Sequence, residues 1–223
     1  KWKSWVFSTS YYLYLNAEKS YKATDMDGSF SADHITEMNK FSFGYSYSWG
    51  NTDYDIDGYK INSFSRSQYA NLLYVKGLND HWSAGAASSA TSSVYSNYDK
   101  SLTITPAIEY DIFPYSRATR RQLRFLYKIG VELNNYNDTT IYNKTKENLG
   151  IQSLTAAYTV VEKWGSINLR AYFNNYLHDW SKNNLSLYGS MNFRIAKGLT
   201  FNLSGGASLV HDQLSLVKGV ATY

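Results

Sequence analysis

Cysteine is absent from the 223 residues, which removes disulfide scaffolds, thiolate metal sites and cysteine nucleophiles together. Proline occurs only twice, so little in the chain interrupts extended or helical structure. Charged residues make up 18%, below the roughly 25% usual in soluble domains. No run of about 18 apolar residues occurs that could cross a bilayer as a helix, and the mean hydropathy is −0.43. The net charge of +4 is spread along the chain rather than gathered in a patch, which argues against nucleic acid as a partner. What the chain has in abundance is aromatic rings, with 22 Tyr, 10 Phe and 6 Trp.

The apolar residues recur with a period of two. Trp5, Phe7, Tyr11, Leu13 and Leu15 alternate with Ser4, Ser8, Ser10, Tyr12 and Asn16. The same alternation returns at Phe41, Phe43, Tyr45, Tyr47 and Trp49, at Leu102, Ile104, Ile108, Tyr110 and Ile112, and at Leu123, Phe125, Tyr127, Ile129, Val131 and Leu133. It continues through Ile167, Leu169, Ala171 and Phe173, then through Leu185, Leu187, Met191, Phe193 and Ile195. Such alternation specifies strands with one apolar and one polar face, and no stretch carries helical spacing. About eleven strands are expected, at roughly 4–17, 20–32, 39–50, 58–76, 81–95, 100–113, 120–136, 148–162, 165–178, 184–196 and 199–212, the second having the weakest pattern.

The connections divide into short turns (77–80, 113–119, 162–165, 196–198) and longer polar loops (50–58, 96–100, 134–148, 178–184) that alternate along the chain. Short turns on one rim and longer loops on the other are a feature of outer-membrane β-barrels. The expected architecture is therefore an all-β, transmembrane, antiparallel up-and-down barrel of about twelve strands, about eleven of them in this chain, in one domain at 1–223. Single-chain bacterial barrels close with an even strand count; the odd number predicts a final strand beyond Tyr223. A soluble sandwich or lipocalin-like barrel shares the alternation. Membrane placement is favoured by the strand lengths, by a polar phase rich in Ser, Asn, Gly and Thr, and by aromatic residues near strand ends. Trp5, Tyr47, Trp49, Trp82, Trp164 and Trp180, with Trp2, form the expected girdle at the lipid–water boundary.

The segments SADHITEMNK (31–40), LNDHWSAG (78–85), PAIEYDIFPYSRATRRQLRF (106–125), QSLTAAYTVVEKWGS (152–166) and YLHDWSKNNLSLYGSMNFRIAKGLTFNLSGGASLVHDQLSL (176–216) resemble a family of outer-membrane barrel proteins from Bacteroidota. That family is related to the salt-induced outer-membrane proteins, a domain of unknown function. The resemblance implies an outer-membrane location, an additional N-terminal region and a last strand, but no activity and no functional residues.

The polar phase supplies the candidate site. Arg124, Lys128 and Glu132 form one column, which Arg170 and Arg194 join from later strands and Glu109 and Asp111 from the preceding one. Charges lining a lumen either form a salt-bridged plug or tune a pore. The run Asp53, Asp55, Asp57, Gly58 matches the first half of a calcium loop, although Phe64 stands where the closing Glu should be; an exposed acidic hairpin, bridged through divalent ions to lipopolysaccharide phosphates, is the alternative. No other cofactor is implied. Arg117, Arg120 and Arg121 mark a basic turn, and His178 beside Asp179 is the one place where hydrolase chemistry could gather. The expected partners are outer-membrane lipid, lipopolysaccharide and other envelope proteins. Three functions follow: a non-enzymatic anchor or accessory subunit of an envelope assembly, a narrow channel for small polar solutes, and a lipid-modifying enzyme.

Overall fold

A computed structural model describes residues 4–219. Eleven strands run in chain order: β1 (Trp5–Ala17), β2 (Tyr21–Ile35), β3 (Asn39–Ile56), β4 (Tyr59–Gly77), β5 (Trp82–Ser93), β6 (Tyr98–Asp111), β7 (Arg121–Tyr136), β8 (Lys146–Glu162), β9 (Gly165–Tyr176), β10 (Asp179–Ala196) and β11 (Leu199–Val210). Each pairs antiparallel with its chain neighbours in a single sheet of order β1 to β11. The sheet is open: among the described residues β1 pairs only with β2, and β11 only with β10. Among the described residues the helical content is one 3-10 turn, Tyr115–Arg117, and no helix is long and apolar enough to cross a membrane.

Register carries the period of two across the whole sheet. Val131 pairs with Ile104 on one side and Gly150 on the other, Tyr127 with Ile108 and Leu154, and Leu154 with Phe173, which in turn pairs with Leu185. One face thus collects the apolar phase of every strand and the other face the polar phase. In the central strands β5 to β7 the burial is inverted relative to a water-soluble sheet. Along β7 the apolar residues Ile129, Val131 and Leu133 are 42%, 47% and 41% exposed, while the intervening Lys128 and Glu132 are half-buried and Asn134 is buried. Along β6, Leu102, Ile104 and Ile108 are exposed, and Thr105 and Asp111 are buried. The sheet curls around its polar face, since one cavity on that side is lined by residues from β4 through β9.

The turns differ from the expected pattern. The nine-residue connections, 112–120 and 137–145, lie one on each rim, and the remaining links are two to four residues on both. Loop length therefore does not distinguish the rims. The expected loop at 50–58 is strand: β3 continues to Ile56 and turns through Asp57 (φ 52°) and Gly58 (φ 86°), a two-residue Asp-Gly hairpin of the kind that needs positive φ at both positions. The β3–β4 hairpin outreaches β5, whose pairing with β4 begins only at Ser67. The expected loop at 178–184 likewise shrinks to two residues, 177–178, with a register irregularity between Asp179 and Asn183. The second strand, weakest in sequence, is fully formed and runs on to Ile35, because Met26, Gly28, Phe30 and Ala32 continue the apolar rows of β1 and β3.

Beyond β11 the chain leaves the sheet as a strap. The Ile141 amide donates to the Leu216 carbonyl, the Lys218 amide donates to the Thr139 carbonyl, and Thr140 bridges to Val217. Leu214 and Thr140 are buried beneath these contacts. The strap therefore crosses from the last strand to the β7–β8 connection over one mouth of the curled sheet.

Candidate functional site

The column Arg124, Lys128, Glu132 occurs as expected on the polar face of β7, but its members meet different partners. Arg124 Nε lies 3.4 Å from Glu109 Oε2, an ion pair without an aligned hydrogen bond, since that nitrogen has no hydrogen-bond acceptor. Register puts Arg170 in the same row, Arg124 pairing with Ala157 and Ala157 with Arg170; the Arg170 guanidinium donates from Nη1 to Tyr172 Oη at 3.0 Å. Arg194 stands apart near the far end of β10, opposite Thr200, and is exposed. Asp111 is fully buried and organises the rim rather than the lumen. Its Oδ1 accepts from the amides of Phe113 and Leu123, both at 3.2 Å, and its carbonyl lies 2.7 Å from His81 Nδ1.

Lys128 and Glu132 line a cavity of about 510 Å³ on the concave face. Two rows build it. At one level Asn71, Ser89, Thr103 and Glu132 are register partners across β4 to β7; at the other, Lys128, Ser153 and Asn174 are partners across β7 to β9. Asp212 enters from the strap and Tyr176 from the end of β9. Glu132 Oε1 accepts from Asn134 Nδ2 at 2.6 Å, and the Asn134 side chain, 2% exposed, keeps an unpartnered Oδ1. Tyr136 Oη donates to Glu147 Oε2 at 3.1 Å.

Asn97 ties the roof of this cavity together. It is 3% exposed and adopts φ 62°. Its Nδ2 donates to the Asp138 and Ser215 carbonyls at 3.0 and 2.9 Å, and its Oδ1 accepts from the Asp138 amide at 2.8 Å. Neither Asn97 nor Asp212 is marked by sequence periodicity. The only cue is an Asn in a four-residue turn, a type suited to the left-handed region.

The calcium reading loses its geometry. Asp53 and Asp55 sit on a straight strand, Asp53 accepting from Asn62 Nδ2 at 2.7 Å and Asp55 from the Gly58 amide at 3.1 Å. A calcium loop instead wraps its carboxylates around one point, and among the described residues no three His, Asp or Glu could hold a metal ion. His178 is exposed and touches the Tyr176 ring, 5.9 Å between centroids. Asp179 is engaged instead by Ser181, whose Oγ and amide donate to it at 2.6 and 2.9 Å and hold its carboxyl below the ordinary range. No nucleophile–base pair forms there. In the basic turn, Arg121 pairs with Glu162 at 3.1 Å, and burial pushes the neighbouring Tyr115 phenol up.

Of the aromatic residues, Trp5 stacks on Phe7 (5.7 Å between centroids), Trp82 packs on Tyr110 (4.6 Å) and Trp164 on Phe193 (5.8 Å), all on the apolar face at the rim of the β2–β3 turn. Trp180, 64% exposed, lies at the opposite rim. Tyr47 and Trp49 are not at a strand end, since β3 continues to Ile56. Trp2 lies outside the described residues. Comparison with protein-family models, curated proteins and solved structures returned no match.

Proposed function

We propose that the chain is an outer-membrane protein whose strands cross the bilayer, with no catalytic role, serving as an anchor or accessory subunit in an envelope assembly. The observation that carries this reading is the inverted burial of the central strands: along β5, β6 and β7 the apolar face is the more exposed and the concave polar face the more buried, and large apolar side chains stand exposed on the other strands as well. In water that arrangement leaves uncovered a patch far larger than the few hundred Å² usual on soluble monomers. In a bilayer it is the arrangement that strands require, apolar outward and polar inward. Strands of 12 to 19 residues exceed the 9 to 11 or so needed for a tilted span. The resemblance to Bacteroidota outer-membrane barrels points the same way.

A channel is less well supported. The strap lies across one mouth, and the Arg124–Glu109 pair neutralises part of the polar face. Folding into phosphatidylcholine vesicles tests the membrane placement. Protection of the strands from added protease, with the β3–β4 hairpin open to cleavage, is the expected result; complete digestion in the presence of vesicles would refute it. Gentle solubilisation from native membranes tests the anchor role, and recovery solely as a lone monomer would count against it.

A further inference from the structure

We infer that the cavity beneath the strap binds a short zwitterionic peptide, with its ammonium end at Glu132 and Asp212 and its carboxylate end at Lys128. This goes beyond the proposed function and does not depend on where the protein resides. The cavity is polarised along its length. Glu132 and Lys128 are four residues apart in one strand, hence about 13 Å between Cα atoms, and among the described residues neither takes part in an ion pair, both observed pairs lying elsewhere. The two opposite charges therefore wait at opposite ends of one space rather than cancelling each other.

The acidic end is the richer in acceptors. Glu132 has one oxygen oriented by Asn134, which leaves its other oxygen free, and Asp212 adds a second carboxylate with two more. An ammonium brings three donors, matching this set. A bare metal ion does not fit, because no three ligating side chains converge among the described residues. A lone anion does not fit either, because two carboxylates outnumber the single lysine.

Asn71 and Ser89 share the row of Glu132, and Ser153 and Asn174 the row of Lys128, while between the rows the lining is Leu73, Ala87, Thr105 and Ile151. The amide and hydroxyl side chains both donate and accept, which suits peptide groups, and the mostly apolar row between them suits small apolar side chains. An extended chain spans at most about 3.3 to 3.6 Å per residue, so a tripeptide of about 10 Å bridges the two rows. A volume of about 510 Å³ lies within the usual range for small-ligand sites.

Tri-alanine, its N-acetylated form and its C-terminal amide form the test, titrated calorimetrically into the folded protein. Tri-alanine should bind, and either cap should weaken binding about tenfold or more, as expected for losing a charge-assisted contact. In Glu132→Gln, acetylation should cost clearly less than in the unaltered protein, because Asp212 alone then meets the ammonium; in Lys128→Met, amidation should cost nothing further. The capped peptides on the unaltered protein test the proposal even where a variant fails to fold. Equal binding of capped and free peptides, no binding at millimolar concentration, or caps and substitutions acting independently would each overturn it. Loss of membrane insertion with peptide binding retained would refute the proposed function alone.

Discussion

Ile129 occupies the apolar phase of β7, opposite Gln152 and 42% exposed, near the middle of a strand that runs from Arg121 to Tyr136. A strand tilted by about 40° descends roughly 2.5 Å per residue, and the apolar band of an outer-membrane barrel is about 25 Å tall. The band then covers about five residues on either side of Ile129, which leaves Leu123 at its edge. Ile129→Arg in lipid should cost about 2 to 4 kcal/mol, and Leu123→Arg about 0 to 1 kcal/mol. At 1.4 kcal/mol per decade, the central substitution shifts the folding equilibrium roughly 30-fold or more. In water a side chain as exposed as Ile129 should tolerate arginine within about 0.5 kcal/mol. Reversible urea titration of folding in short-chain phosphatidylcholine vesicles, followed by the emission of the six tryptophans, measures both. A cost under about 0.5 kcal/mol at Ile129, or equal costs at the two positions, would refute lipid contact along this face.

Three further outcomes follow from particular contacts. Asn97→Gly retains the left-handed backbone but removes three side-chain hydrogen bonds to the roof; amide exchange at Ile141 and Lys218, both bonded to or from the strap, should quicken about tenfold, and unchanged exchange would show that the strap is held otherwise. Asp111→Ala leaves the Phe113 and Leu123 amides without their carboxylate, so urea denaturation should report a loss of about 2 kcal/mol, with a loss under about 0.5 kcal/mol contradicting its rim-organising role. Gly130→Ala places a methyl onto the Ile104 carbonyl, where β6 and β7 approach closely, and should cost about 1 to 3 kcal/mol; Gly205→Ala, which meets nothing within 4 Å, should be near neutral in the same assay.

The strands were legible because their signal is local and repeated. Phe125, Tyr127, Ile129, Val131 and Leu133 announce both a strand and its outward face, and antiparallel register then propagates that face to every neighbour. The connections were less legible. Asp53 and Asp55 read as a loop because they are acidic, yet the pairs Asp53↔Asn62 and Asp55↔Lys60 sustain a ladder up to the Asp-Gly turn. Polarity marks exposure, not the absence of pairing. The site was half legible: Lys128 and Glu132 were found from the column they share, whereas Asp212 and Asn97 belong to segments without periodicity and are brought in only by long-range contacts such as Asn97 to Ser215.

The two edges of the sheet bear hardest on the membrane proposal. β1 and β11 are both odd-numbered members of an antiparallel meander, so they run in the same direction and cannot join in the antiparallel manner of every other pair. About half of the backbone N–H and C=O groups of each edge strand point away from its one neighbour. In hydrocarbon each unsatisfied group costs several kcal/mol, far more in sum than the whole stability of a typical domain. Lipid-embedded edges must therefore be paired, and a strand antiparallel to both satisfies both ladders without breaking the pattern. Amide exchange in native membranes should show β1 and β11 protected like β6 and β7. Since the chain has no cysteine, cysteine pairs scanned along β1 and β11 can be read without background, and disulfides should not form between them, as an intervening strand would hold the Cα atoms near 10 Å apart, beyond the roughly 7 Å limit. Ready cross-linking would show direct parallel closure instead. Rapid exchange at both edges, in a membrane where β6 and β7 are protected, would place the edges in water and refute closure of any kind.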